Sequence, residues 1–515
     1  MNQKQIVNIV NFIRGVEPRE PMDLVTPVRE QIALMKKHSL RGTFLLQYDA
    51  LIDPSFTELL LPLDPAQFEL GVWFETVQPQ VEAAGLAWQG RFPWDWHAHC
   101  GFSVGYAPNE RELLVDVLYE KFKEVFGYYP KVFGSWFYDS HTIRYIADRY
   151  GVDAFCNCKE QYGTDGYTLW GGYYGQGYYP SRQNVFMPAQ SRDDQIPAPL
   201  FRMLGSDPVY QYDCGLDLQS GAARWQGVTT LEPVYRKGGG GEQAWVDWYL
   251  RENFSGECLS FGYTQAGQEN SFGWDAMKDG LSFQFALFEA LQAQGKLTVE
   301  PLGNSGRRYK ATYATTPPSA ITAHTAYDDP EKSSVWYSSK YYRINLYTDH
   351  GAFRIRDLHL FAPDFPDPFE TAVCNGNEAT YETLPVIDGN RHSGNGVLAG
   401  GYIADTDGNA LILSKMQFTD LGGGKARITY GDLALELWED RVILTYPQEF
   451  TLTRRIGKED HLPTAEAWEE RRLSLSYQGT PYRIRASVGR FLSPTVLTSE
   501  NGTIELRFST QLDIP

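Results

Sequence analysis

Residues Lys131 to Glu160 decide the fold, and they read KVFGSWFYDSHTIRYIADRYGVDAFCNCKE. An apolar run ends at Asp139, a helical pattern follows from Ser140 to Tyr150, and a second apolar run ends near Glu160. The stretch predicts a β-strand, a helix and the next parallel β-strand. Because the carboxyl ends of parallel barrel strands open onto one face, we expect Asp139 and Glu160 to lie at one mouth. Two carboxylates there indicate acid/base or nucleophilic chemistry.

The same alternation of apolar runs and amphipathic helices continues from Gln5 to about Pro301, and it is typical of βα repeats around a parallel sheet. The predicted strands are Ile6–Ile13, Gly42–Gln47, Glu69–Phe74, Lys131–Phe137, Ala154–Cys158 and Cys258–Tyr263, with weaker signals near Asn184–Met187 and Gly227–Glu232. The predicted helices are Val28–Lys37, Glu110–Phe126, Ser140–Tyr150, Gly241–Asn253 and Asp275–Gln294.

The pattern changes after Arg308. A Thr/Pro-rich stretch, YKATYATTPPSA, is followed by short alternating runs and Gly-rich turns, which are typical of an antiparallel β-sandwich. The runs are Tyr342–Tyr347, Gly351–Phe361, Ala410–Phe418, Ala426–Tyr430, Leu433–Glu439, Arg441–Tyr446, Tyr482–Val488 and Gly502–Phe508. The prediction is an α/β chain with a parallel catalytic barrel in residues 1–308, a linker in residues 309–320 and a β-sandwich in residues 321–515.

Charge and composition restrict the partners of this chain. Its formal net charge is -18 and its pI is about 5.0, whereas nucleic acids and anionic membranes require a basic surface. Aromatic residues make up 14% of the chain, and many lie among Gly, Asn and Gln, as in YTLWGGYYGQGYYPSRQN from Tyr167. Large cores account for part of this content, but loops of this kind also suit sugars. We therefore expect a carbohydrate substrate, no nucleic acid and no membrane; self-association stays open.

The six cysteines have no spacing typical of a disulfide framework. We expect buried thiols in a reducing compartment. No signal-like segment precedes the first predicted strand, and no apolar run approaches the about 18 residues that span a bilayer. These observations favour a cytoplasmic protein.

Asp139 is the first catalytic candidate. It could also cap the following helix, but Ser140 can supply that role. Trp136, Tyr138 and His141 flank the carboxylate and would form aromatic and hydrogen-bonding surface for a substrate.

Glu269 is the second catalytic candidate and Glu160 is the reserve. Glu269 lies in SFGYTQAGQENSFGW after a late strand, and Trp274 lies just beyond it. A carboxylate in such a loop favours a site residue over a solvated one. Glu160 ends its predicted strand but could equally be a solvated loop residue.

Further residues at predicted strand ends and in an aromatic loop are candidates for substrate binding. They are Arg14, Gln47, Glu75, Trp96, His97, His99 and Asp207. The His97 and His99 pair could bind zinc only with one or two further ligands, so sugar binding or a packed loop is favoured and no metal or other cofactor is predicted. Asp207 lies in a Ser-Asp-Pro sequence that also forms ordinary turns.

The strand, W-x-x-acid turn, helix and Gly-Val segment around Asp139 resembles the nucleophile segment of family fifty-seven glycoside hydrolases. More broadly, the chain is similar to the glycoside hydrolase/deacetylase superfamily, in which a (β/α)7 barrel often precedes β-rich domains. The resemblance implies a nucleophile at Asp139 and a general acid at Glu269, with the two acid types exchanged relative to the family. The family's N-terminal His motif is missing. The deacetylases have an Asp-Asp start and an HxxxH metal pair, which are absent here, and Arg14 and Glu17 occupy the region where those acids are expected.

Three functions follow from these residues. The first is a glycoside hydrolase that acts on an oligosaccharide or polysaccharide fragment through Asp139 and Glu269, with Glu160 in reserve. The second is a metal-dependent carbohydrate deacetylase that uses His97, His99 and an acid such as Asp139. The third is a carbohydrate-binding protein without catalysis.

Overall fold

Seven parallel strands form a nearly closed barrel in the N-terminal part of the chain. The computed structural model describes residues 5–223, 225–411 and 413–508. In chain order, the strands of this part are Gln5–Ile13 (β1), Gly42–Leu46 (β2), Phe68–Trp73 (β3), Val132–Gly134 (β4), Ala154–Asn157 (β5), Gln161–Thr164 (β6), Tyr167–Leu169 (β7), Gly177–Tyr178 (β8), Leu200–Arg202 (β9), Gly262–Ala266 (β10) and Thr298–Val299 (β11). The barrel order is β10-β1-β2-β3-β4-β5-β9, and among the described strands β9 and β10 are not paired.

The α-helices connect and cover the barrel strands. They are Val25–Lys37 (α1), Tyr48–Ile52 (α2), Pro54–Leu60 (α3), Gln78–Ala83 (α4), Ala98–Gly101 (α5), Pro108–Phe126 (α6), Ser140–Tyr150 (α7), Gln243–Ser255 (α8), Trp274–Ala293 (α9) and Leu302–Thr312 (α10), with 3₁₀ turns at Ser103–Gly105 and Asn270–Phe272. The predicted α7 is confirmed because Asp139 caps its first turn and Gly151 ends it with a positive φ of 60°. Within the described residues, no helix is both long and apolar enough to cross a membrane.

The barrel prediction is confirmed, although some strands differ from their predicted ranges. The strand predicted at Cys258–Tyr263 begins only at Gly262, and the strand predicted at Lys131–Phe137 covers only Val132–Gly134. The weaker strand signals at Asn184–Met187 and Gly227–Glu232 are wrong, because these apolar residues are buried in loops. Strand β9 was missed because three residues are too short to show a period.

The C-terminal part forms two antiparallel sheets. Its strands are Ser319–Ala323 (β12), Lys332–Ser338 (β13), Tyr342–Asp349 (β14), Ala352–Leu360 (β15), Ala379–Tyr381 (β16), Leu384–Asp388 (β17), Gly400–Asp405 (β18), Gln417–Gly422 (β19), Lys425–Tyr430 (β20), Leu433–Trp438 (β21), Arg441–Thr445 (β22), Phe450–Arg455 (β23), Thr464–Glu469 (β24), Arg472–Tyr477 (β25), Thr480–Val488 (β26), Arg490–Ser493 (β27), Val496–Thr498 (β28) and Thr503–Arg507 (β29). One sheet has the order β12-β13-β14-β15-β18-β23-β28-β27, and the other has the order β19-β20-β21-β22-β29-β26-β25-β24. Apolar side chains from both sheets meet in one core, as predicted for a sandwich.

The strand predicted at Ala410–Phe418 is largely wrong. Only its last two residues belong to a strand, β19, while Leu411 and Leu413 pack against the core from a loop. The prediction also includes Ile412, which lies outside the described residues. The apolar residues that suggested a strand here therefore belong to a loop, and its leucines pack against the surface of the core.

The barrel and the sandwich share structure. Strand β16 of the C-terminal part pairs in parallel with β7 of the barrel part. Helix α10 extends to Thr312 and β12 begins at Ser319, so the Thr/Pro-rich connector contains the end of a helix and the start of a strand. The predicted division at residues 308 and 320 stays a prediction.

All six cysteines are free, which confirms the prediction of unpaired thiols. Cys214 is half-buried and the other five are buried. Burial raises the pKa of Cys156 and Cys258, so these thiols stay protonated and behave as small apolar side chains.

A buried ion-pair network crosses the boundary between the barrel and the sandwich. Arg343 on β14 binds Asp357 through two bonds of 2.9 Å, and its Nη1 lies 3.1 Å from Glu160 and 2.9 Å from the Gly172 carbonyl oxygen. Glu160 also contacts Arg202, at 3.0 Å. Because these groups are removed from water, each charge depends on its partners.

The Arg343→Leu substitution should therefore lower the free energy of unfolding by about 3–5 kcal/mol, because it leaves Asp357 and Glu160 without their shared cation. Urea denaturation followed by circular dichroism measures the change. Arg427→Gln, on the exposed face of β20, is the control and should change stability by less than about 0.5 kcal/mol. Equal stability of Arg343→Leu and the wild type would contradict the structural role of the network.

Candidate active site

Four strand ends bring charged and polar side chains together at the barrel mouth. Arg14 follows β1, Gln47 follows β2, Glu75 follows β3 and Glu269 follows β10. Arg14 binds Glu75 through Nε–Oε2 and Nη2–Oε1 bonds of 3.0 Å each. The same guanidinium reaches Glu269, with 3.1 Å between Nη1 and Oε2. One cation therefore joins carboxylates from two distant strands.

Glu75 is fixed in this cluster by three donors. Besides the Arg14 guanidinium, the Trp73 indole nitrogen donates to Glu75 Oε2 at 2.8 Å, and the Gln47 amide donates to the same oxygen at 3.3 Å. The Trp94 ring covers the Arg14 guanidinium at 4.0 Å. These contacts make Glu75 the anchor of Arg14 and leave little of its carboxylate free for a substrate.

Glu269 has a different environment from that of Glu75. Burial is the largest cause that raises its pKa, Glu75 and Asp165 add repulsion, and Arg14 opposes them; the resulting pKa is about 7. A carboxyl group that titrates near neutrality can donate or accept a proton at physiological pH. Its position beside a fixed guanidinium also keeps its orientation defined.

Gln268 links Glu269 to Glu232, and Glu232 interacts with Lys159; the sequence did not predict either charged group as a site residue. Gln268 accepts from the Glu269 backbone N–H at 2.9 Å and donates to Glu232 at 3.3 Å. Burial raises the pKa of Glu232, while the Thr230 hydroxyl and Lys159 oppose this effect. Burial lowers the pKa of Lys159, which is 3% exposed. The sequence signal that could have identified Glu232 is a single charged residue within the otherwise uncharged stretch GVTTLEPVY.

Aromatic rings line the mouth. Trp94 and Trp96 lie 6.0 Å apart, and Phe92 stacks on Trp96 with 13° between the ring planes. The Arg19 guanidinium lies over both tryptophans, at 5.0 and 5.6 Å. Trp136 lies deeper and meets Trp73 edge-on at 5.3 Å. Trp274, at the start of α9, is half-buried against the core.

His97 and His99 stand in the same loop as Trp96, and their ring centres are 5.8 Å apart. His97 lies 3.7 Å from Asp95, but Arg91 already binds that carboxylate through two bonds. In the part of the chain that the structure describes, the one group of three side chains suited to a metal is Asp329, Asp349 and His350 on the sandwich. The donors around His97 and His99 therefore do not fit a metal centre.

Asp139 lies in a closed ion-pair and capping site. Its carboxylate contacts Arg111 at 2.9 Å, accepts from Ser103 at 2.7 Å, and accepts from the Thr142 N–H and hydroxyl at 2.8 and 2.7 Å. The side chain has no exposed surface. The structure thus gives Asp139 the capping role that the sequence also allowed, with contacts separate from the Arg14 cluster.

Other predicted site residues also lie in structural settings. Tyr138 donates to the backbone oxygens of Phe133 and Cys156 in the barrel interior. His141 pairs with Glu112 at 3.0 Å on the outer helices. Glu160 belongs to the Arg343 network at the sandwich boundary.

Asp207 organises a turn rather than the mouth. Its carboxylate accepts from the Val209 and Tyr210 N–H groups at 2.8 and 2.9 Å and from Trp245 at 3.0 Å. Burial raises its pKa while these donors oppose the shift. The assignment of catalytic and binding residues as a whole stays a prediction, and the structure joins only Arg14, Gln47, Glu75 and Glu269 in one network of direct contacts.

Comparison with known proteins supports the fold. No known family profile and no curated protein matches the sequence. A solved structure described as a candidate glycoside hydrolase/deacetylase from Parabacteroides distasonis is similar, with a TM-score of 0.54 and 14% identity over 74% of this chain and 91% of that chain. A candidate polysaccharide deacetylase from Mycobacterium smegmatis has a TM-score of 0.35 and 12% identity over 60% of this chain and 92% of that chain. A GH57 branching enzyme from Thermococcus kodakaraensis has a TM-score of 0.33 and 10% identity over 61% of this chain and 72% of that chain. The first of these similarities confirms the predicted fold.

The structural role of Asp139 predicts a stability effect. Asp139→Asn should lower the free energy of unfolding by about 3–5 kcal/mol, because it leaves the buried Arg111 without its counter-ion. Chemical denaturation measures the loss. Asp275→Asn removes an exposed carboxylate at the start of α9 and is the matched control, with an expected change below about 0.5 kcal/mol. An unchanged stability combined with lost activity would instead favour a catalytic Asp139.

The raised pKa of Glu269 predicts a pH-dependent stability. The native state keeps the Glu269 proton up to a pKa of about 7, whereas an ordinary glutamate releases it near 4.5, so this group destabilises the fold as pH rises through that window. Glu269→Gln cannot ionise. Its Tm relative to the wild type should therefore be higher at pH 8 than at pH 5, as measured by scanning calorimetry. A Tm difference that stays constant with pH would contradict the raised pKa.

Proposed function

We propose that this protein is a glycoside hydrolase in which Glu269 acts as the general acid and base. The observation that carries the proposal is the buried Glu269 carboxyl group at the barrel mouth, which has a pKa of about 7 and lies 3.1 Å from Arg14. Glycosidic bond cleavage requires a group that is protonated in the resting enzyme at its working pH and can donate to the leaving oxygen.

Glu232 is the second carboxylate of the proposed mechanism. Burial raises the pKa of Glu232, whereas the Thr230 hydroxyl, which donates to it at 2.8 Å, and Lys159 favour its ionised form. The ionised Glu232 stabilises the oxocarbenium-like transition state while Glu269 protonates the leaving oxygen. Water then adds to the anomeric carbon and gives its proton to Glu269, which completes the hydrolysis. Glu269 beside Arg14 and Glu232 beside Lys159 have separate environments, as two carboxylates with different roles require.

The surrounding rings support a carbohydrate substrate. Trp96 offers a partly exposed ring beside the buried Trp94, and Arg19 offers hydrogen-bond donors next to it. A sugar presents one apolar face and a rim of hydroxyl groups, so such a wall can bind it by both surfaces. The acidic chain as a whole favours a substrate that is not a nucleic acid.

Metal-dependent deacetylation is the second candidate, because the similar structure from Parabacteroides distasonis is described by both activities. Metal analysis of the purified protein separates the two functions. A transition metal in equimolar amount, together with loss of activity on chelation, would replace the glycosidase proposal.

Glu269→Gln tests the proposal directly. Removal of a positioned acid should lower kcat on a cleaved oligosaccharide by about 10²–10⁴-fold. In the wild type, kcat/KM should fall above a pKa of about 7, and this limb should vanish from the residual activity of the variant. Before these measurements, a panel of defined oligosaccharides is incubated with the protein, and the release of reducing ends identifies the substrate.

Glu20→Gln is the matched control, because Glu20 is an exposed glutamate in the loop after β1. It should retain wild-type kcat and KM. Full activity of Glu269→Gln, in a folded protein, would end the assignment of Glu269.

A further inference from the structure

A cavity of about 220 Å³ lies where the barrel meets the sandwich, separate from the Glu269 mouth. We name it the junction pocket, and it is lined by Tyr162, Ala222, Arg391, Lys458, Asp460 and His461. Tyr162 comes from β6 of the barrel part, whereas Arg391, Lys458 and His461 come from loops of the sandwich. No step of the proposed hydrolysis uses these side chains.

Two basic side chains and one carboxylate line the junction pocket of this strongly acidic protein. Arg391 is 5% exposed, and its Nη1 atom binds Glu382. Lys458 reaches into the same space and donates to the Ser220 carbonyl oxygen. An anionic group of a ligand can accept charge-assisted hydrogen bonds from both basic side chains.

Glu382 lies behind the junction pocket and is not one of its lining residues. Glu382 accepts from Arg391, from the Tyr477 hydroxyl at 2.6 Å and from the Gln478 amide at 2.7 Å, and it lies 3.3 Å from His461. Although burial alone would raise it, the His461 and Arg391 contacts lower the pKa of Glu382 to about 2. Glu382 therefore orients the Arg391 and His461 side chains and remains ionised.

His461 is held in an unusual backbone conformation. Its φ is 57°, in the left-handed region that non-glycine residues seldom adopt. Such conformations concentrate at sites where the position of a side chain matters. The contact of His461 Nδ1 with Glu382 and its neighbour Tyr477 keeps the ring at the pocket wall.

The pocket also offers aromatic surface for a ring-shaped ligand. The Tyr162 ring forms one wall and packs against the Arg391 guanidinium at 5.0 Å. The Gln226 N–H donates to the Tyr162 carbonyl oxygen at 2.9 Å, which places the neighbouring Trp225 close to this wall. Trp225 is 65% exposed, an unusual setting for so large an apolar side chain.

We propose that the junction pocket binds an acidic sugar residue, with the sugar carboxylate between the Arg391 guanidinium and Lys458 and the ring against Tyr162. Asp460, at the exposed edge, accepts from a sugar hydroxyl. The anion site follows from the pocket residues alone, whereas its assignment to a sugar rests on the proposed function. The protein therefore selects glycans that contain uronic acid.

Isothermal titration calorimetry on the Glu269→Gln protein tests this proposal without turnover. Sodium glucuronate should bind with a dissociation constant on the order of 1 mM, while glucose and sodium acetate should bind at least about tenfold more weakly. Binding of acetate as tight as that of glucuronate would overturn the sugar assignment. Absence of glucuronate binding would contradict the proposal that the junction pocket binds an acidic sugar.

Lys458→Gln, added to the same protein, should weaken glucuronate binding by about tenfold, because it removes one charged donor. His461→Asn keeps a residue type that tolerates positive φ and should weaken binding less. Lys415→Gln, an exposed lysine of the same domain, is the control and should leave binding unchanged. Equal affinity of Lys458→Gln and its parent, at equal Tm, would place the anion elsewhere.

The two proposals fail separately in these experiments. A protein that binds glucuronate in the Lys458-dependent way but hydrolyses no glycan keeps the junction pocket and loses the glycosidase assignment. A protein that hydrolyses neutral glycans through Glu269 but does not bind glucuronate keeps the glycosidase and loses the pocket.

Discussion

The contact of Arg14 with two glutamates organises the barrel mouth. A guanidinium that has lost its water requires carboxylates in fixed positions, and Glu75 meets it with two 3.0 Å bonds. Because Trp73 and Gln47 also hold Glu75, the ends of β1, β2 and β3 are tied to one carboxylate. Glu269 is buried and contacts the same guanidinium, whose positive charge is already partly neutralised by Glu75. Its raised proton affinity comes first from burial and then from the repulsion of Glu75 and Asp165, and the fixed Arg14 limits the increase.

The stretch from Lys131 to Glu160 shows how far the sequence alone could lead. Apolar runs, a capping residue and a glycine were enough to predict both strands and the helix, since these signals are local. The roles of Asp139 and Glu160 were not predictable, because an acid at a strand end looks the same whether it caps, pairs or reacts. The deciding partners are Arg111 on α6 and Arg343 on β14, which are remote in sequence.

The surroundings of Glu269 show which site residues the sequence could predict and which it could not. Glu269 itself was recognisable as a charge within a Gln-, Asn- and aromatic-rich loop after a late strand. Glu232 was not, because it lies in an irregular stretch before α8, in the segment between β9 and β10. Lys159 was not, because it directly follows β5 and acts on Glu232, which is remote in sequence. The relation of Glu232 to Glu269 passes through the Gln268 side chain, and no spacing rule describes a contact of that kind.

The parallel pairing of β7 with β16 has an evolutionary consequence. Strand β7, which forms a hairpin with β6, makes backbone hydrogen bonds to β16 of the C-terminal part. Arg343, from the same C-terminal part, forms an ion pair with Glu160. An exchange of the sandwich for an unrelated domain would leave an open edge on β7 and would remove one of the two arginines that contact Glu160. The two parts are therefore constrained to change together, and inheritance of this chain as a single unit is favoured over the shuffling of its halves.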